Sequence, residues 1–269
     1  MLYLSKEDGR FIPNAEGWHK ALYRLWYNMV DKKMYMTGGI GAIKQWEGIS
    51  INYFLPQGTD ESSFYKETCA SIAAMMLAEL ILHLDLEAHY TDIMELCLYN
   101  IVMTAMGLDG KAFTRINQLA STETDKSVRE EWFWCACCSP NLTRLFGSLG
   151  GYLWDYGTKA DDFFVNLHLY AGSELAFDAN GLPVALQQRF NWPWEDKVDF
   201  QLSASSSLRV VTQLRLPAWS KGAYVLTPSP RSGTVKIEKG YICLLPAHVS
   251  ENPSVLSSNP QFRASVPLT

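Results

Sequence analysis

The chain has 269 residues, 48% of them hydrophobic and 19% charged, with a net charge of −5. That apolar content suits one large packed domain or two ordinary ones and excludes a disordered chain. The acidic balance, without any Lys/Arg run, excludes a nucleic-acid or anionic-membrane surface.

The opening residues, Met1-Leu2-Tyr3-Leu4, lack the basic start and apolar run of a secretory leader. Residues 70–84 are broken by Glu79 and His83, well short of the roughly 20 apolar residues of a membrane span. Six cysteines without evident disulfide partners suit a reducing compartment, and a cytoplasmic protein is expected.

Residues 16–30 place Trp18, Leu22, Leu25, Trp26 and Met29 at three- and four-residue steps, which predicts an amphipathic helix. The glycine-rich Thr37-Gly38-Gly39-Ile40-Gly41 follows without the lysine of a phosphate loop. Residues 43–66 read as a long irregular loop of the kind that carries function. Two long helices, 70–84 and 87–106, are apolar around much of their circumference and should pack on two sides. Leu108-Asp109-Gly110-Lys111 is a turn and 121–129 a charged loop, before a last helix over 140–156 with Pro140 in its first turn. Helices in hairpin succession suggest part of an α/α barrel.

Near Gly157 the period changes, and 163–170, 184–190, 198–202 and 208–216 read as strands. The expected architecture is α+β and multidomain: a partial α/α barrel over 1–158, a partial antiparallel β-sandwich over 159–245, and a poorly ordered tail over 246–269 rich in Ser, Pro and Asn.

Chemistry concentrates at Cys135-Ala136-Cys137-Cys138, which runs into the last helix. Thiolates beside a helix N-terminus are stabilised by its unpaired N–H groups and, more strongly, by a metal, for which zinc is the natural candidate. Glu67-Thr68-Cys69 stands before the first long apolar helix. A carboxylate and a thiol two residues apart point the same way in an extended segment and diverge on a helix. If both bind one ion, the helix should begin at or after Cys69. Glu67, Cys69, Cys137 and Cys138 would make a four-ligand zinc shell, although the spacing also allows buried free thiols.

Several motifs occur in order: Thr37–Gly41, Trp46-Glu47, Tyr65-Lys66-Glu67-Thr68-Cys69-Ala70-Ser71, Met94-Glu95-Leu96-Cys97-Leu98-Tyr99-Asn100, Leu108–Lys111 and Cys135–Cys138. Together they resemble the β-L-arabinofuranosidase family, glycoside hydrolase family 127, over about residues 17–175. The resemblance implies an (α/α)6 barrel followed by β-sandwich domains, and hydrolysis of a carbohydrate substrate with retention of configuration. It assigns Glu67, Cys69, Cys137 and Cys138 as ligands of Zn2+, Cys137 also as nucleophile, Glu47 as general acid/base and Glu95 as a carboxylate at the sugar. A metal-held thiolate can take the place of the nucleophilic carboxylate in the usual pair.

Three departures stand out: Ser139 where the family commonly has proline, Arg115 where it commonly has tyrosine, and a longer spacer between Glu47 and Glu67. The chain also opens well into the family's barrel. A truncated enzyme with negligible activity by itself is therefore expected, its exposed half-barrel open to association or a homo-oligomer. A non-catalytic zinc-stabilised module is the alternative.

Overall fold

The computed structural model describes residues 15–49, 51–58, 64–159, 162–191, 194–195, 197–204, 208–227, 235–244 and 261–265. They form two compact units. The first takes the described residues up to Leu86 and Ile93–Gly147; the second takes Glu87–Asp92 and the described residues from Ser148 onward.

The first unit is helical. Helix α1 (Ala15–Lys33) carries Glu16 in its first turn and Lys32 and Lys33 in its last, each matched to the helix dipole. Of its predicted apolar stripe, Trp26 is buried, while Trp18 and Leu25 stay exposed. Helix α2 (Thr68–Leu82) buries Ile72, Met75, Ala78, Ile81 and Leu82. Helix α3 (Ala88–Cys97), whose residues from Ile93 lie in this unit, continues through one π-helical turn, Leu98–Val102, into the short α4 (Met103–Ala105). Helix α5 (Cys138–Gly147) packs on α2, as does the π turn. Each Ile or Met sealed in this way contributes roughly 1.5–3 kcal/mol. No described helix is long and apolar enough to cross a membrane.

The glycine-rich loop serves close packing. Gly38 has φ 84°, and a Cβ there would stand 3.0 Å from the Cys97 backbone. A Cβ on Gly39 would fall 1.9 Å from the Lys66 side chain. Lys66 is itself buried, donates to Thr37 Oγ1 at 3.2 Å and lies 4.7 Å from the centre of the Tyr35 ring. Burial lowers its pKa to about 8. The bare loop lets α3 and the 64–66 segment approach from its two sides.

Besides the start of α3, the second unit contains α6 (Gly150–Leu153) and two five-stranded sheets. The strands are β1 (Trp154–Lys159), β2 (Asp162–Leu167), β3 (Ser173–Ala179), β4 (Leu182–Phe190), β5 (Lys197–Ser203), β6 (Val210–Arg215), β7 (Val225–Thr227), β8 (Val235–Glu238), β9 (Tyr241–Leu244) and β10 (Gln261–Ser265). One sheet has the order β1-β2-β6-β9-β8 and the other β3-β4-β5-β10-β7. The hairpins pair as a meander would, for example Leu175 opposite Leu186 and Phe190 opposite Val198. Burial alternates along β4, with Val184, Leu186 and Gln188 inward. The rings of Tyr156 and Phe177 stack at 4.4 Å between the first strands of the two sheets.

Four expectations need correction. The helix expected over 140–156 is interrupted at 148–149 between α5 and α6, and 154–156 belong to β1 instead of a helical turn, because the run Tyr152-Leu153-Trp154 fits either period. The sandwich is not wholly antiparallel: β2 and β6 pair in parallel, with Val165 opposite Thr212, because the chain leaves the first sheet to build most of the second before returning. Within the expected disordered tail, Gln261–Ser265 is a strand between β5 and β7. Five residues are too few to show alternation, and their order comes from two neighbouring ladders. The rest of the tail lies outside the described residues. Helix α2 begins at Thr68, one residue before the predicted limit.

Candidate metal centre

That one-residue difference explains how Glu67 and Cys69 converge. Glu67 is the N-cap of α2, with φ −81° and ψ 140°, so only the carboxylate residue needs to be extended. Its side chain turns back over the first turn, where Cys69 stands. Residues 66–68 also pair with a strand-like segment: Glu67 bridges Ile116, Thr68 N–H donates to Arg115 O at 3.0 Å and Asn117 N–H donates to Lys66 O at 2.8 Å. Asn117 Nδ2 donates to Thr68 Oγ1 at 2.9 Å.

The second arm is the start of α5. Cys138 is its first residue and is buried, while Cys137 precedes the helix and is half-buried. Asn141 N–H donates to Cys137 O at 3.3 Å, closing the first turn, and Asn141 Nδ2 donates to Cys69 Sγ at 3.3 Å.

The two arms meet. The ligand atoms of Glu67, Cys69, Cys137 and Cys138 all lie within 4.8 Å of one another. Cys69 Sγ is 3.3 Å from Cys138 Sγ, Cys137 Sγ is 3.9 Å from Cys138 Sγ, and Cys137 Sγ is 3.3 Å from Glu67 Oε1. Tetrahedral zinc with Zn–S bonds of about 2.3 Å spaces its sulfurs about 3.8 Å apart, so the set fits such an ion with small adjustments. Three sulfurs and one oxygen are a donor set that zinc accepts.

The electrostatics of the thiols diverge. Hydrogen bonding from Cys138 lowers the Cys69 pKa to about 7, with Asn141 assisting and burial opposing. Cys137 is pushed up to about 12, by burial first and then by hydrogen bonds with Cys69 and Glu67. Cys138 is raised by its hydrogen bond to Cys69 and by burial. One thiolate thus forms readily and its neighbours resist a second and third negative charge. A cation offsets that resistance.

Glu47 approaches this group from a 3-10 turn, Gln45–Glu47, in which Trp46 and Glu47 have positive φ of 63° and 50°. Left-handed backbone at two successive non-glycine residues is costly and marks a held geometry. Tyr65 Oη lies 3.3 Å from both Glu47 Oε1 and Glu67 Oε1, and its single proton can serve either carboxylate. Arg115 Nη2 lies 3.6 Å from Glu47 Oε1. The Glu47 side chain is 58% exposed, open to exchange protons with a substrate or water. Glu95 stands half-buried on α3 between the buried Met94 and Cys97. Cys97 is structural: its thiol donates to Gly38 O at 3.3 Å, and burial raises its pKa to about 12. Cys135 is exposed.

Sequence reasoning missed Tyr65 and Asn141. Both had a readable signal: Tyr65 is two residues before Glu67 in an extended segment, and Asn141 is four after Cys137 across a helix start. Arg115 was noticed only as a departure.

The GH127 β-L-arabinofuranosidase catalytic-domain model matches residues 12–151, and the GH127 middle-domain model matches residues 164–247. The helices with the glutamate–cysteine cluster thus fall in the catalytic-domain match and the two sheets largely in the middle-domain match. The chain belongs to the β-L-arabinofuranosidase family, glycoside hydrolase family 127. It is 35% identical over 234 residues to the non-reducing end β-L-arabinofuranosidase of Bifidobacterium longum, covering 82% of this chain and 34% of that protein. The crystal structure of a GH127 β-L-arabinofuranosidase from Geobacillus stearothermophilus T6 matches all of this chain and 40% of its own, at 31% identity and a TM-score of 0.81. A further GH127 β-arabinofuranosidase structure matches 95% of this chain and 40% of its own, at 26% identity and a TM-score of 0.79. The chain spans about a third of the length of the curated relative it matches.

Proposed function

We propose that this chain carries the zinc–thiolate centre of a retaining glycosidase that acts on β-L-arabinofuranosides or closely related sugars. The observation that carries the reading is the convergence of Glu67, Cys69, Cys137 and Cys138 within 4.8 Å from two segments far apart in sequence. Two separate segments that each bring a pair of ligand-type side chains to one point are hard to account for by packing alone. The activities of the relatives supply the sugar class.

Bound zinc would keep the thiolates ionised and fix the direction of Cys137 Sγ. Cys137 attacks the anomeric carbon as the glycosidic C–O bond breaks, giving a sugar covalently held on sulfur. Glu47 protonates the departing oxygen. It then takes a proton from the water that displaces the sugar, and the configuration is retained. Its exposed position and its hydrogen bond from Tyr65 suit a group that changes protonation twice per cycle. Glu95 is assigned to a sugar hydroxyl.

Metal content tests the centre. Purified chain should hold one zinc per molecule, and Cys69→Ala should lose it; equal zinc in both sinks the ligand set. The nucleophile has its own test. An arabinofuranose analogue bearing a haloacetamide should alkylate Cys137 first, whereas even labelling of Cys135, Cys137 and Cys138 removes Cys137 from that role. Zinc binding without selective labelling would favour a non-catalytic, metal-stabilised module.

A further inference from the structure

Arg115 makes a set of contacts that the metal ligands and acid/base pair do not by themselves require. Its Nε donates to Glu67 Oε1 at 3.1 Å, its Nη2 bonds the Tyr65 hydroxyl, and the same nitrogen lies 3.6 Å from Glu47 Oε1. The guanidinium carbon sits 5.3 Å from the centre of the Tyr65 ring. The Arg115 side chain is 18% exposed and that of Glu67 only 9%, so the pair is shielded from water. Its backbone is held as well, because Arg115 O accepts from Thr68 N–H and the neighbouring Ile116 bridges Glu67.

A carboxylate that must present itself to an ion has free rotation about its last bonds unless something fixes it. Donors on ligating carboxylates do this, and their removal typically lowers metal affinity or activity 10–100-fold. Arginine suits the task better than lysine, because its planar fork can serve two acceptors in a fixed relation. Charge adds a second reason. Three thiolates and a carboxylate around a divalent ion leave two negative charges in excess, and Arg115 places one positive charge against the carboxylate.

We propose that Arg115, with Tyr65, is a positioning residue of the metal centre, setting the orientation of Glu67 and offsetting the excess negative charge. This rests on the zinc reading above. The role belongs to this chain's own residues at the site.

The test is zinc affinity of the purified full chain, measured by competition with a chromophoric chelator. Arg115→Met should weaken binding 10–100-fold, with an unchanged circular dichroism spectrum. Arg115→Lys, which keeps the charge and loses the fork, should recover only part of the loss. Tyr65→Phe, which removes only the hydroxyl, should shift affinity in the same direction and serves if Arg115→Met fails to fold. Wild-type affinity in Arg115→Met overturns the proposal, as does wild-type affinity in Arg115→Lys and Tyr65→Phe together. Cys69→Ala separates the two levels. If the wild type binds zinc and Cys69→Ala does not while Arg115→Met binds normally, this proposal fails alone. If the wild type and Cys69→Ala behave alike, the zinc reading fails and takes this proposal with it.

Discussion

Arg115 in the helical unit and Arg215 in the β unit are each set against a carboxylate and a tyrosine, yet the surroundings give them opposite uses. Arg215 is fully buried; its Nη1 donates to Thr91 O at 3.0 Å and to Asp92 Oδ1 at 3.3 Å. Tyr170 lies beneath the guanidinium at 5.9 Å and donates its hydroxyl proton to Arg215 O. Nearby Tyr241 is sealed as well and hydrogen-bonds His168 Nδ1 at 2.8 Å. A backbone carbonyl takes part of the charge-assisted bonding, and the carboxylate also accepts from Ala218 N–H. The groups are engaged with the fold. Arg115 instead faces two carboxylates from separate segments, one at the cysteine cluster and one 58% exposed. The difference between an arginine that serves only the fold and one proposed to serve a site lies in what accepts its protons and whether that acceptor has a second partner to meet.

Substitution should widen or close this contrast. Arg215→Ala removes the fully buried member of the pair and leaves the part-exposed Asp92 beside a cavity, held by Ala218 N–H. The expected loss is about 3–5 kcal/mol in urea unfolding, with zinc stoichiometry of the folded chain unchanged. A loss below about 1 kcal/mol would place Arg215 with surface ion pairs and erase the comparison. Gly39→Ala forces a Cβ into the space held by Lys66, 1.9 Å from its nearest side-chain atom. Overpacking of that kind should cost about 1–3 kcal/mol, and a neutral result would mean the buried lysine swings aside freely. The smallest effect is expected at Arg209, paired with Asp162 on the surface with half its side chain exposed. Arg209→Ala should change stability by about 0–1 kcal/mol, and a larger value would show that an exposed ion pair here matters as much as a buried one.

Much of the site was legible in the primary structure because it is written in local patterns. A thiol pair at a helix start and a Glu-x-Cys pair at another each carry their chemistry within three residues. The limit of that reading appears at Glu67. Alternation required an extended pair, whereas an N-cap achieves the same convergence with one extended residue. Arg115 shows a different limit. Nothing in the sequence near residue 115 points to residue 67; the connection is made by hydrogen bonds between two segments about fifty residues apart. In the β unit, β4 and β5 were readable from their alternation. Strands of three to five residues, β7 to β10, carry too few positions for a period and are ordered by their neighbours.

The sequence by itself determined the composition class, the helical first part and several strands, and it singled out four residues of metal-ligand type. These follow from side-chain period and donor chemistry, which are properties of short stretches. Tertiary structure alone decided that Gly38 and Gly39 are packing gaps for Cys97 and Lys66, that β2 and β6 run parallel, and that Arg115 meets Glu67 beside the cysteine cluster while Arg215 is sealed in the core. Each of those depends on which distant backbone lies opposite a residue, and distance along the chain carries no information about that until the long-range hydrogen bonds and packed faces have formed.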